Sequence, residues 1–125
     1  MWRVLRPDAV AVLQDDKAKR SLGRYFAVMV GKVPARFQIC KHVGVKVDLS
    51  AGDDELWRAH ERGLKEFQKL LADVDEGERK LDDLKSIKPS LLDLKVELAK
   101  RILKSCHFCE RRCEVDRTKG ERGTC

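Results

Sequence analysis

Trp57, His60, Leu64, Phe67, Leu71 and Val74 recur at steps of three and four residues. That spacing lays them along one face of an amphipathic helix and excludes a strand, whose period is two. The pattern predicts a helix over 53–74. Ser50 or Asp53 is placed to cap it, and Asp53, Asp54 and Glu55 suit its positive end. His60 lies on the apolar stripe with no neighbouring donor set, so a packed histidine is expected there rather than a ligand.

A second helix is expected over 90–104. Ser90 follows Pro89, and Asp93 stands three residues on, a capping-box spacing with Asp in place of Glu. Leu91, Leu94, Leu98 and Ile102 make one stripe, and Leu92, Val96, Ala99 and Leu103 its neighbour. Between the two helices, residues 76–89 read as a connector with Gly77, mixed charges and a short helical turn at Leu81 and Leu84. This is where an internal boundary is expected, giving an N-terminal extension over 1–75 and a helix with a cysteine-rich motif over 90–125.

Residues 1–47 are irregular by pattern. Pro7 can open a helix through Leu13, and Ser21 is placed to cap another before Leu22. Tyr25 to Val30 fits a helix or a buried strand, ended by Gly31 and Pro34. Val43, Val45 and Val47 alternate with Gly44, Lys46 and Asp48, a short strand pattern that needs a partner. The expected fold is mainly α: two long amphipathic helices, an irregular N-terminal segment with one short strand, and a C-terminal cysteine-rich metal-binding loop.

Composition narrows the function. The 125 residues carry 27 basic and 21 acidic side chains, a net +6 with only 6% aromatics. The excess is too mild to specify a nucleic-acid partner, and Phe108 is the only aromatic near the basic tail, so no base-stacking platform is expected. The longest apolar run, Tyr25 to Val30, is far short of the roughly twenty residues that span a bilayer. With no signal-peptide pattern at the start, no membrane association and a cytoplasmic location are expected.

Four of the five cysteines, Cys106, Cys109, Cys113 and Cys125, are spaced C-x2-C-x3-C-x11-C. An odd total crowded at one end reads poorly as a disulfide framework and better as a metal site. Four thiolates around one centre suit tetrahedral zinc or an iron–sulfur cluster, and spacing does not choose between them. Gly120 and Gly123 permit a tight return to Cys125. Arg111, Arg112, Arg117, Lys119 and Arg122 surround the loop, and cations favour thiolates. His107 ranks below the four thiols as a ligand, and Cys40 beside Ile39 reads as a small buried residue. No catalytic residues are expected: there is no nucleophile–base pair, no phosphate-binding glycine loop and no supported carboxylate pair.

The stretch Cys106-His107-Phe108-Cys109-Glu110-Arg111-Arg112-Cys113-Glu114-Val115-Asp116-Arg117, followed by Gly120-Glu121-Arg122-Gly123-Thr124-Cys125, resembles the cysteine-rich opening of radical S-adenosylmethionine proteins similar to pyruvate formate-lyase activating enzyme. Ser90 to Leu103 resembles the helix leading into that motif in archaeal-type members. Leu5-Arg6-Pro7-Asp8-Ala9 and Trp57-Arg58-Ala59-His60-Glu61 resemble their N-terminal extension. The chain departs from the family at Glu114, where the family usually carries glycine; if that position needs positive φ, glutamate strains the loop by about 1 kcal/mol. The family's catalytic cluster sits on C-x3-C-x2-C, a motif not found in these 125 residues.

The resemblance therefore implies the front piece of such an enzyme. Its cysteines would hold a metal or auxiliary cluster, and its partner would be a downstream barrel or another protein. The [4Fe–4S] cluster and S-adenosylmethionine are implied only for a longer form, and catalysis is not expected of this chain alone. The alternative reading is a small zinc-binding interaction module, with nucleic acid as one conceivable partner.

Overall fold

A computed structural model describes residues 7–124 of the protein. The chain is mainly helical, with six α-helices and no strand among the described residues. It divides into two compact units, 1–35 and 36–125.

The first unit holds α1 (Pro7–Val12), α2 (Asp16–Ser21) and α3 (Gly23–Met29). Pro7 opens α1 as its fixed φ predicts. Asp15 caps α2, its carboxylate accepting the Ala18 N–H at 2.8 Å. Ser21, expected as a cap, instead ends α2; Leu22 stands between the helices without a side-chain cap bond. Tyr25 to Met29 is helix rather than strand, and the turn beyond it has Gly31 at φ 73°. Neither α2 nor α3 fully buries a side chain.

The second unit contains α4 (Arg36–Cys40), α5 (Asp53–Asp75) and α6 (Leu91–Lys104), with 3-10 turns at Leu81–Asp83 and Arg117–Lys119. α5 and α6 run antiparallel, because Arg101 bonds Asp53 while Lys95 reaches His60. Ile39, Leu56, Leu91 and Leu94 are fully buried at the centre. α5 is the longer helix, about 34 Å against about 21 Å for α6. Its C-terminal half is therefore covered by other segments: Val43, Leu81 and Leu84 join the same core. The 76–89 connector thus joins two helices of one unit.

Helix α6 begins as its sequence predicts. Ser90 Oγ accepts from the Asp93 N–H at 3.2 Å, and the Asp93 carboxylate accepts from the Ser90 N–H at 2.8 Å. Leu91, Leu94 and Leu98 are the buried stripe. Helix α5 differs on two points. Gly52 stands at its N-cap with no side-chain bond, while Ser50 is held by the Asp48 carboxylate. Its buried face is Leu56, Ala59, Gly63, Phe67, Leu70 and Val74. That face is turned one residue from the expected stripe at every position but Phe67 and Val74, so Trp57 is 43% exposed. Gly63 explains the turn: a Cβ there would lie 2.9 Å from Leu91 Cδ1 and 3.3 Å from Val45 Cγ1. The small face lets α6 approach closely, and close packing outweighs the larger but less complementary ring of Trp57.

Val43 and Val45 are buried, as the alternation predicts, yet they form no strand. Their segment makes one isolated antiparallel bridge, Gly44 to Ser90. A single bridge satisfies part of its backbone, and the side chains do the rest by packing on α5 and α6.

Candidate metal centre

The last turn of α6 delivers Cys106 to the core edge, where it is buried. Two hydrogen bonds then fold the chain back on it. The Cys106 N–H donates to the Val115 carbonyl at 3.1 Å, and the Glu114 N–H donates to the Cys106 carbonyl at 3.0 Å. Between them the loop turns through Arg112 at φ 40° and Glu114 at φ 53°. Glu114 therefore occupies the left-handed region, at a cost of about 1 kcal/mol for a residue with a Cβ. Asp116 organises the next turn by accepting from the Thr118 N–H at 3.0 Å, and Gly120 ends it at φ 78°.

This backbone brings Cys106 and Cys113 to one side chain. Arg117 Nε donates to Cys106 Sγ at 3.2 Å, and Nη2 reaches Cys113 Sγ at 3.5 Å. A guanidinium is a planar fork, so its two donors can serve two sulfurs at once. Burial pushes the Cys113 thiol up, but the N–H groups of Thr124 and Val115 and the Arg117 guanidinium outweigh it and leave the thiol below its ordinary value. Gly123 passes directly over this sulfur, where a Cβ would collide with Cys113 Sγ.

The other expected ligands stand differently. Cys109 is exposed. Cys125, the expected fourth ligand, lies outside the described residues. His107 is exposed and its Nδ1 pairs with the Ser105 carbonyl at 2.8 Å. Among the described residues no three His, Cys, Asp or Glu side chains converge as a metal site. Two of the loop's sulfurs share a guanidinium, and the third faces solvent.

A second polar contact was not legible in the sequence. Lys95 Nζ lies 2.8 Å from His60 Nε2, and the His60 ring stands edge-on to Trp57 with centroids 5.4 Å apart. Burial and the neighbouring Lys95 charge lower the His60 pKa, against a smaller opposing effect of Glu61. His60 is thus a half-buried neutral acceptor for a lysine. Cys40 is buried as expected, and burial raises its thiol pKa while Lys95 opposes the rise.

An uncharacterized protein of Methanocaldococcus jannaschii is 46% identical to this chain over 104 residues. The match takes in 83% of this chain but 28% of that relative, so the chain spans little more than a quarter of the relative's length. No family model matches the chain. No solved structure matches it either. No helix among the described residues is long and apolar enough to cross a membrane.

Proposed function

We propose that this chain is the N-terminal region of a longer radical S-adenosylmethionine protein of the activating-enzyme type. In this reading the α5–α6 pair is a platform, and the cysteine loop forms the entrance to a barrel supplied by further sequence. The observation that supports the proposal is the folding of the resembling cysteine motif into one loop, with Cys106 and Cys113 brought to the same guanidinium. The much greater length of the M. jannaschii relative is compatible with such an architecture.

Metal binding by Cys106, Cys109, Cys113 and Cys125 belongs to the same proposal. It requires Arg117 to release two sulfurs and Cys109 to fold inward. The guanidinium then acts as a cationic placeholder that keeps Cys106 and Cys113 close before the ion arrives.

The test is metal, iron and sulfide analysis of the anaerobically purified chain. A brown protein with iron and sulfide supports an auxiliary cluster. One zinc per colourless chain favours the small interaction module instead. Cys109→Ser should abolish loading while the helical circular dichroism of α5 and α6 persists. A chain that binds neither metal, from a gene with no in-frame C-x3-C-x2-C, defeats the proposal.

A further inference from the structure

The extended segment around Gly44 is paired on one edge only. The Val45 N–H donates to the Pro89 carbonyl at 3.0 Å, and the Leu91 N–H donates to the Val43 carbonyl at 2.7 Å. Gly44 and Ser90 are therefore a non-hydrogen-bonded antiparallel pair. In that register the N–H and C=O of Gly44 point to the opposite edge. Those of Lys46 follow while the segment stays extended. Both residues are exposed, and no backbone hydrogen bond of either is formed among the described residues.

A groove runs beside this open edge. One cleft of about 390 Å³ lies between Gly44 and the Glu66–Asp73 stretch of α5, with Arg79 at its end. A second, of about 370 Å³, lies between Gly44–Lys46 and Ala59, Arg62 and Lys65. Gly44 and Glu66 line both, so the two clefts adjoin there. From Ala59 to Asp73 the helix advances roughly 21 Å, the length of about six extended residues. Lys46, Arg62 and Lys65 make one end of the groove basic, over an apolar floor of Val45 and Ala59. Glu66 is the acidic group there, and Lys69 pairs with it at 3.1 Å.

We propose that this groove takes an extended acidic peptide segment of a partner protein, added as a strand on the Gly44–Lys46 edge. Its carboxylates face Lys46, Arg62 and Lys65, and its alternate apolar side chains face Val45 and Ala59. The edge selects a peptide over a nucleic acid. Gly44 presents both a donor and an acceptor, which a polypeptide backbone answers in kind at strand spacing, whereas a phosphate group offers acceptors only. Main-chain pairing supplies the register, and the basic side chains supply the preference for acidic sequence.

The test uses the 125-residue chain and a capped hexapeptide alternating Glu and Val. Binding should shift the Gly44 and Lys46 amide resonances and slow their hydrogen exchange. Arg62→Glu combined with Lys65→Glu, both on the exposed side of α5, should weaken binding on the order of tenfold with the helical spectrum unchanged. Peptides N-methylated at every second amide, made in both registers, separate strand addition from simple charge attraction, because one register must lose binding. The proposal is overturned if both methylated peptides bind as well as the parent, or if an alternating Lys–Val peptide binds equally. It is also overturned if the Gly44 amide does not respond, or if oligouridylate fills the groove and the acidic peptide does not.

Discussion

Arg101 Nη1 lies 2.7 Å from Asp53 Oδ1, joining the last turn of α6 to the first turn of α5. The same guanidinium donates to the carbonyls of Leu49 and Ala51 at 2.9 and 2.8 Å, and its Nε donates to Glu97 at 2.9 Å. One side chain thus holds the 49–51 loop, the start of α5 and the end of α6 in register. Arg101→Ala should lower the melting temperature by several degrees, because two carbonyls and two carboxylates lose their donor together. Arg101→Lys should recover only part of the loss, since an ammonium cannot reproduce the fork. Thermal unfolding followed by circular dichroism decides it. A melting point for Arg101→Ala within about a degree of the parent would remove the clasp from the account.

Gly63 sets the spacing of α5 and α6. Alanine would gain about 1 kcal/mol of helix propensity. It would also press its Cβ against the side chains of Leu91, which is fully buried, and Val45. Overpacking of this kind costs about 1–3 kcal/mol. Gly63→Ala should therefore come out destabilised by about 1 kcal/mol in urea, and Gly63→Val by considerably more. A stabilised Gly63→Ala variant would mean that the helices do not approach as described.

His60 gives stability a pH dependence. Its folded pKa lies below the ordinary 6.5, because burial and Lys95 disfavour the imidazolium while Glu61 opposes them weakly. The unfolded chain therefore takes up the proton first. The contribution is complete above about pH 6.5 and is lost as pH falls through that value toward the folded pKa. Protonation also removes the Nε2 lone pair that accepts from Lys95. The urea midpoint should fall between pH 7.5 and pH 5, and His60→Gln should flatten that part of the profile. Equal slopes in parent and variant would assign the dependence to other groups.

Thiol reactivity should follow the environments of the sulfurs. In metal-free protein at neutral pH, iodoacetamide should label Cys40 last, since it is buried with a raised pKa. Arg117→Ala should slow labelling of Cys113 severalfold by removing one of the groups that favour its thiolate. Peptide mapping by mass spectrometry measures both. An unchanged Cys113 rate in the variant would leave the bond at 3.5 Å without chemical consequence.

The helices show how far linear pattern reaches. The α6 start was legible because a capping box is local: Ser90 and Asp93 are three residues apart and need nothing else. The α5 face was legible in period, but the expected stripe was one residue off everywhere except Phe67 and Val74. A count of large apolar residues favours Trp57 and passes over Ala59 and Gly63, whose value lies in how closely Leu91 can approach them. The cysteine loop divides the same way. That Cys106 and Cys113 meet follows from a short turn, whereas their common partner is one of five surrounding cations, and only the 3-10 turn at Arg117–Lys119 selects Arg117.

By itself, then, the order of residues determined the period of each long helix, the cap of α6 and the buried character of Cys40. These are settled within a few bonds along the chain, where φ, ψ and side-chain period decide. Tertiary structure alone decided which α5 side chains are covered, that Lys95 meets His60, that Arg101 ties three segments together, and that the valines at 43 and 45 bridge to the start of α6 instead of forming a sheet. Each of those depends on groups far apart in sequence reaching van der Waals or hydrogen-bond distance, and the energies that choose among such contacts exist only once the helices have packed.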